Sequence, residues 1–153
     1  MMSANIIERA GSRDGLLRLA MRADAVISGL FGIAGLTGWM IEFAGTTRAF
    51  QYSMAAFFIS YGAIVLALAA LPSVRRTGIG VVVANLAYTV AAVVLVVADV
   101  VPLTPSGVVF TSTSGIYTLV FAALQYLGWR RIKRQGHLSW SCNAPAPRSR
   151  SQL

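Results

Sequence analysis

Four long apolar stretches fill most of the chain, at about residues 23–43, 50–71, 79–101 and 108–129. Each holds roughly 21–23 residues, about 32–35 Å as a helix, which is enough to cross a hydrocarbon core of about 30 Å. The connections between them are only about six residues long, and links that short force neighbouring helices to run antiparallel. The chain therefore reads as all-α: a membrane-embedded antiparallel four-helix bundle. With 56% apolar and 12% charged residues, it has about half the charge that a soluble domain of this size carries. No separate soluble domain fits.

The basic residues fix an orientation for these stretches. Arg9, Arg13, Arg18 and Arg22 precede the first, Arg75 and Arg76 lie between the second and third, and Arg130, Arg131, Lys133, Arg134, Arg148 and Arg150 follow the fourth. If every stretch crosses, all of these share one side and only Arg48 stands opposite. The positive-inside rule assigns that side to the cytoplasm, with both termini inside. Topology thus accounts for the net charge of +8, and nucleic acid is not an expected partner. Arg18, Arg22, Arg75, Arg76, Arg130, Arg131, Lys133 and Arg134 are the expected contacts to anionic lipid headgroups.

Residues 1–15 read as a mobile cytoplasmic segment, 16–134 as the transmembrane domain, and 135–153 as a disordered basic cytoplasmic tail with Pro145, Pro147 and alternating Arg and Ser. Residues 16–22 extend the first helix inward. Cys142 is the only cysteine, so an intrachain disulfide is impossible. The first apolar stretch is too long for the core of a cleaved signal peptide.

Seams of small and weakly polar residues predict where helices meet. In the first stretch Ala25, Ser28, Gly32 and Gly35 step by three and four. So do Ser53, Ala56, Ser60, Ala63, Ala67 and Ala70 in the second, and Thr111, Gly115, Thr118, Ala122 and Gln125 in the fourth. Helices in lipid associate through close approach of small residues and interhelical hydrogen bonds. The spacing predicts left-handed packing. Trp39, Tyr52 and Trp129 fall at the membrane boundaries, where aromatic rings anchor. A bundle this thin makes a homodimer, or docking on another membrane protein, an expected partnership.

Asp24 is the side chain with the most chemical content. It lies about one turn into the first stretch, and its helix neighbours Ala20, Met21, Ile27 and Ser28 offer no positive charge. Counting turns brings Asn85 and Gln125 to a similar depth, with Tyr88 on the face of Asn85. Tyr61 and Tyr117 sit nearer mid-membrane, placed to extend the same network. Two readings of Asp24, Asn85, Tyr88 and Gln125 stand: a polar lock between helices, or the wall of a ligand or ion pocket. Catalysis is a third.

Several chemistries lack their residues. His137 is the only histidine and lies in the tail, where it cannot be a haem ligand within the spans. A membrane thiol oxidoreductase needs a Cys pair. No His, Cys and carboxylate spacing fits a metal, and Gly29, Gly32, Gly35 and Gly38 belong to an apolar helix rather than a phosphate loop. No catalytic residue, metal or cofactor is expected.

The run Leu17-Arg18-Leu19-Ala20-Met21-Arg22-Ala23-Asp24-Ala25 followed by Gly29, together with Asn85 and Ala123-Leu124-Gln125 before a basic boundary, resembles small four-span membrane proteins of GC-rich Gram-positive bacteria. The resemblance covers about residues 16–134. It implies a four-helix plasma-membrane bundle with no known reaction. A looser similarity is to small multidrug exporters, whose essential carboxylate lies deep in the first helix, whereas the count above puts Asp24 nearer the interface. The resulting expectation is a non-enzymatic accessory or assembly protein of the plasma membrane. The alternative is a small transporter or ligand-binding membrane protein with a polar pocket near the cytoplasmic side.

Overall fold

In the computed structural model, residues 15–142 are described, and from residue 133 onward the backbone alone. The expected mobility of the first residues and disorder of the last ones therefore fall largely outside the described chain. Within it there are five helices and no strand: α1 (Gly15–Gly35), α2 (Trp39–Ala44), α3 (Arg48–Ala70), α4 (Arg75–Val97) and α5 (Pro105–Cys142). Three are long and apolar enough to cross a membrane: α3, α4 and the Pro105–Ile132 part of α5. The chain is thus an all-helical protein with three candidate membrane spans, not the four expected.

The first apolar stretch is where the expectation fails. Its helix includes the expected extension over residues 16–22 and so takes in Arg18, Arg22 and Asp24 within its first ten residues, too much charge for a span by composition. It also stops early. Leu36, Thr37 and Gly38 tighten into three-residue turns through bonds from their N–H groups to the carbonyls of Ile33, Ala34 and Gly35. Gly38 then turns the chain at φ 77°, a left-handed conformation that costs glycine little, and α2 follows. Hydropathy reads straight through this break because the residues on both sides are apolar. At the other extreme, α5 runs past the expected boundary at Trp129 to Cys142.

Local chemistry explains the remaining ends. Thr47 caps α3, its hydroxyl accepting from the Phe50 N–H at 3.3 Å, and α3 ends at Ala70 because Pro72 holds Leu71 extended. Thr104 caps α5 by accepting from the Gly107 N–H at 3.1 Å, with Pro105 in the first helical position. The end of α4 is less comfortable. Its carbonyls are closed by Ala98 N–H to Val94 and Val100 N–H to Leu95, which puts Asp99 at φ 49° where glycine is favoured. Asp99→Gly is therefore expected to stabilise the protein by about 0.5–1 kcal/mol, read as a higher unfolding midpoint in detergent. An unchanged or lower midpoint would show that this turn carries no strain.

The long helices pack as two close pairs, α1 with α3 and α4 with α5, joined mainly through α1 and α5; α3 and α4 touch sparingly. The α1/α3 pair closes over glycine. A Cβ on Gly62 would lie 2.7 Å from the Ala25 carbonyl oxygen and 3.1 Å from backbone atoms of Gly29, and one on Gly32 would lie 2.8 Å from the Ile59 nitrogen. Between α4 and α5, Gly115 faces Ala92. The wider α3/α4 interval is filled by aromatic rings, with Tyr88 packed edge-on to Phe58 at 5.4 Å and stacked at 6.5 Å from Phe57.

The seams predicted on the first and last apolar stretches lie at these contacts: Ala25, Ser28, Gly32, Gly35, Gly115, Thr118, Ala122 and Gln125 are buried, and Thr111 is half-buried. The seam predicted on α3 does not. Ser53, Ala56, Ser60, Ala63, Ala67 and Ala70 all face outward, and Gln51, Ala55, Gly62, Val65 and Ala69 form the contact face instead. Ala55, Gly62 and Ala69 repeat with the same spacing one residue earlier, and only that stripe has the glycine that admits the α1 backbone.

The distribution of polarity is inverted relative to a water-soluble protein. Large apolar side chains such as Leu30, Ile64, Val90, Val97 and Val109 are exposed, while Asp24, Asn85, Gln125 and Gln51 are buried. With lipid as the surrounding solvent this costs nothing, since apolar surface gains little by leaving hydrocarbon and polar groups must find partners inside.

Candidate functional site

The buried polar groups converge on Asp24. The carboxylate is fully buried. Its Oδ2 accepts from the Tyr61 hydroxyl at 2.8 Å, from Asn85 Nδ2 at 2.8 Å and from Gln125 Nε2 at 3.0 Å. Its Oδ1 accepts from the Ser28 hydroxyl at 3.4 Å and the Tyr117 hydroxyl at 3.5 Å. Asn85 Nδ2 also donates to Gln125 Oε1 at 3.1 Å, which fixes both amides in orientation. The donors come from α1, α3, α4 and α5, so one side chain links all four long helices.

Five donors and no ionic partner define the chemistry. All five donate to the carboxyl oxygens of Asp24, so both oxygens are held by hydrogen bonds. Among the described residues no basic group pairs with Asp24; its partners are neutral hydroxyls and amides.

The members of the cluster stand well inside their helices. Asp24 is the tenth residue of α1, about 14 Å from its start, since α1 begins at Gly15 and includes the expected extension over residues 16–22. Asn85 is the eleventh of 23 residues in α4, and Tyr61 the fourteenth of 23 in α3. The cluster therefore lies near the middle of α3 and α4.

Of the expected polar layer, Asp24, Asn85 and Gln125 meet, and Tyr61 and Tyr117 join them. Tyr88 does not. It sits one turn further along α4, where its hydroxyl pairs with Ser114 at 3.2 Å. That contact opens a second polar strip between α4 and α5, in which the Thr89 and Thr118 hydroxyls pair at 2.9 Å and Thr89 donates to the Asn85 carbonyl at 2.9 Å. Sequence reasoning missed Gln51, whose Nε2 donates at 3.0 Å to the Gly35 carbonyl where α1 breaks, beside the bond that carbonyl accepts from the Gly38 N–H. A glutamine in an apolar helix was the available signal.

The arginines expected to face lipid also divide. Arg22, Arg75, Arg76, Arg130 and Arg131 are exposed. Arg18 is turned inward: Nη1 donates to the carbonyls of Ala69 at 2.8 Å and Leu71 at 2.7 Å, and Nη2 to that of Pro72 at 2.8 Å. These carbonyls end α3 and have no helical partner, so a guanidinium is a better match for them than water. The side chains of Lys133 and Arg134 lie beyond those described.

Comparison of the chain with protein-family models, with curated proteins and with solved structures finds no match.

Proposed function

We propose that this is a plasma-membrane protein that crosses the bilayer four times as an antiparallel bundle, with α1 and α2 together forming the first crossing and both ends in the cytoplasm. Its role is that of a non-enzymatic accessory or assembly protein for other membrane proteins, of the kind the small four-span group suggests. The observation that carries this reading is the saturation of Asp24. Its five donors come from all four long helices and leave the carboxylate committed to holding them together. Interhelical hydrogen bonds of this sort are a main source of cohesion where the hydrophobic effect is absent.

Reporter fusions after Thr47, Ser73, Leu103 and Gln135 test the topology. The reading expects the Ser73 and Gln135 fusions to report from the cytoplasm and the other two from outside. A Ser73 fusion that reports from outside overturns it.

One observation favours a second reading, a small transporter or ligand-binding protein with a polar pocket around Asp24, Asn85 and Gln125. The Asp24 carboxyl group is buried among all four long helices with no described cation beside it, and ionisable groups buried within membrane helices are commonly functional.

A further inference from the structure

Asp24 divides its hydrogen bonds unequally between its two oxygens. The three short ones, from the Tyr61 hydroxyl, Asn85 Nδ2 and Gln125 Nε2, all end on Oδ2, at 2.8, 2.8 and 3.0 Å. Their donors stand on α3, α4 and α5, so Oδ2 by itself already ties the four long helices. Oδ1 has only the Ser28 and Tyr117 hydroxyls, at 3.4 and 3.5 Å, well beyond the usual O–H···O length of about 2.7–2.8 Å.

The two sets also differ in what they can become. An amide nitrogen only donates. Asn85 Nδ2 is bound to both Asp24 Oδ2 and Gln125 Oε1, so neither amide can turn over alone without setting like atoms against each other. A hydroxyl donates or accepts. A proton on Oδ1 therefore needs only the Ser28 or Tyr117 hydroxyl to rotate and accept it. A proton on Oδ2 would face three donors and no acceptor. The titratable groups that face Asp24 are Tyr61 from α3 and Tyr117 from α5. The remaining contacts, Ser28 of α1, Asn85 of α4 and Gln125 of α5, are neutral, and no described cation pairs with it.

We propose that Oδ1 of Asp24 is a reversible proton-binding site, with the Ser28 and Tyr117 hydroxyls as its switching partners. The proton is taken from water and returned to it, one O–H bond forming or breaking at Oδ1, while Oδ2 keeps the helices tied. A proton-coupled membrane protein needs this combination: charge changes at a fixed point inside the bundle and the bundle stays assembled. The inference rests on the second reading above and names the proton as the ligand. It also lets one side chain serve as lock and as site, since the two tasks fall to different oxygens.

The test is a titration of the full chain in neutral detergent from about pH 4 to about pH 10, followed by nuclear magnetic resonance of isotope-labelled aspartate carboxyl carbons. Asp24→Asn identifies the Asp24 signal by its loss. That signal is expected to titrate reversibly, while the side-chain amides of Asn85 and Gln125 remain protected from exchange with solvent. Ser28→Ala combined with Tyr117→Phe removes only the two long contacts and should move the midpoint by about one pH unit. Tyr88→Phe, whose hydroxyl pairs with Ser114 instead, should leave it in place. A signal that stays fixed across the range, a titration that releases the two amides to exchange, or a midpoint unmoved in the double variant overturns the proposal. So does a signal shifted at constant pH by sodium chloride and not by potassium chloride, which would assign Oδ1 to a metal cation. The titration is read with no solute present, so it stands or falls apart from whether the protein also carries one.

Discussion

Asp24→Ala is expected to cost the folded protein about 3 kcal/mol or more, the largest loss from truncating any single side chain in it. The substitution strands buried donors on α1, α3, α4 and α5, and each buried donor left without an acceptor costs about 1–3 kcal/mol. Asn85 and Gln125 still pair with one another through their amides, so the full sum is not reached. Asp24→Asn should be milder, at about 1–2 kcal/mol. Its carbonyl oxygen can take the place of Oδ2, and its amide can donate to the Ser28 and Tyr117 hydroxyl oxygens, which accept as well as donate. Denaturant or thermal unfolding in detergent reads both. An Asp24→Ala protein as stable as the parent would show that the cluster does not hold the helices. An Asp24→Asn protein that unfolds as readily as Asp24→Ala would assign the effect to charge rather than to hydrogen bonding. A folded Asp24→Asn protein is also the form in which a pocket that needs the charge must lose its ligand.

Gly62→Ala is expected to cost about 2–3 kcal/mol, although it adds one methyl group and improves helix propensity. The new Cβ would sit 2.7 Å from the Ala25 carbonyl and 3.1 Å from the Gly29 nitrogen and Cα. These are backbone atoms of α1, which cannot rotate away as a side chain would. The two helices must separate, and the close contacts at Gly32 and Gly35 loosen with them. Gly80→Ala is the matched control: nothing lies within 4 Å of its Cβ position, so only the propensity gain of about 0.5–1 kcal/mol remains. If the two substitutions behave alike in thermal unfolding, the α1/α3 crossing is not as close as described.

Much of the candidate site was readable from residue types and depth. Asp24, Asn85 and Gln125 are the strongly polar residues in three different apolar stretches at comparable distance from one end, and polar groups in lipid must find each other. The two tyrosines placed nearer mid-membrane proved to be the ones that join Asp24. Tyr88 shares a face with Asn85 but stands a turn away, and sharing a face does not settle which neighbour is in reach. Arg18 was assigned to lipid because charge and position were all that the chain displayed. The open carbonyls at the end of α3 that claim it are more than fifty residues away in sequence.

Sequence alone determined that the chain is helical, that most of its length is apolar enough for membrane, and that arginine gathers at one end, because length, hydropathy and charge are local properties. It also placed the contact seams of α1 and α5, where one stripe of small residues stands out. Only the tertiary structure decided which of two adjacent stripes α3 presents, where the first helix breaks, and that four helices meet on one carboxylate. Each of those depends on how near one backbone can come to another, and that distance is set by the partner helix rather than by the segment itself.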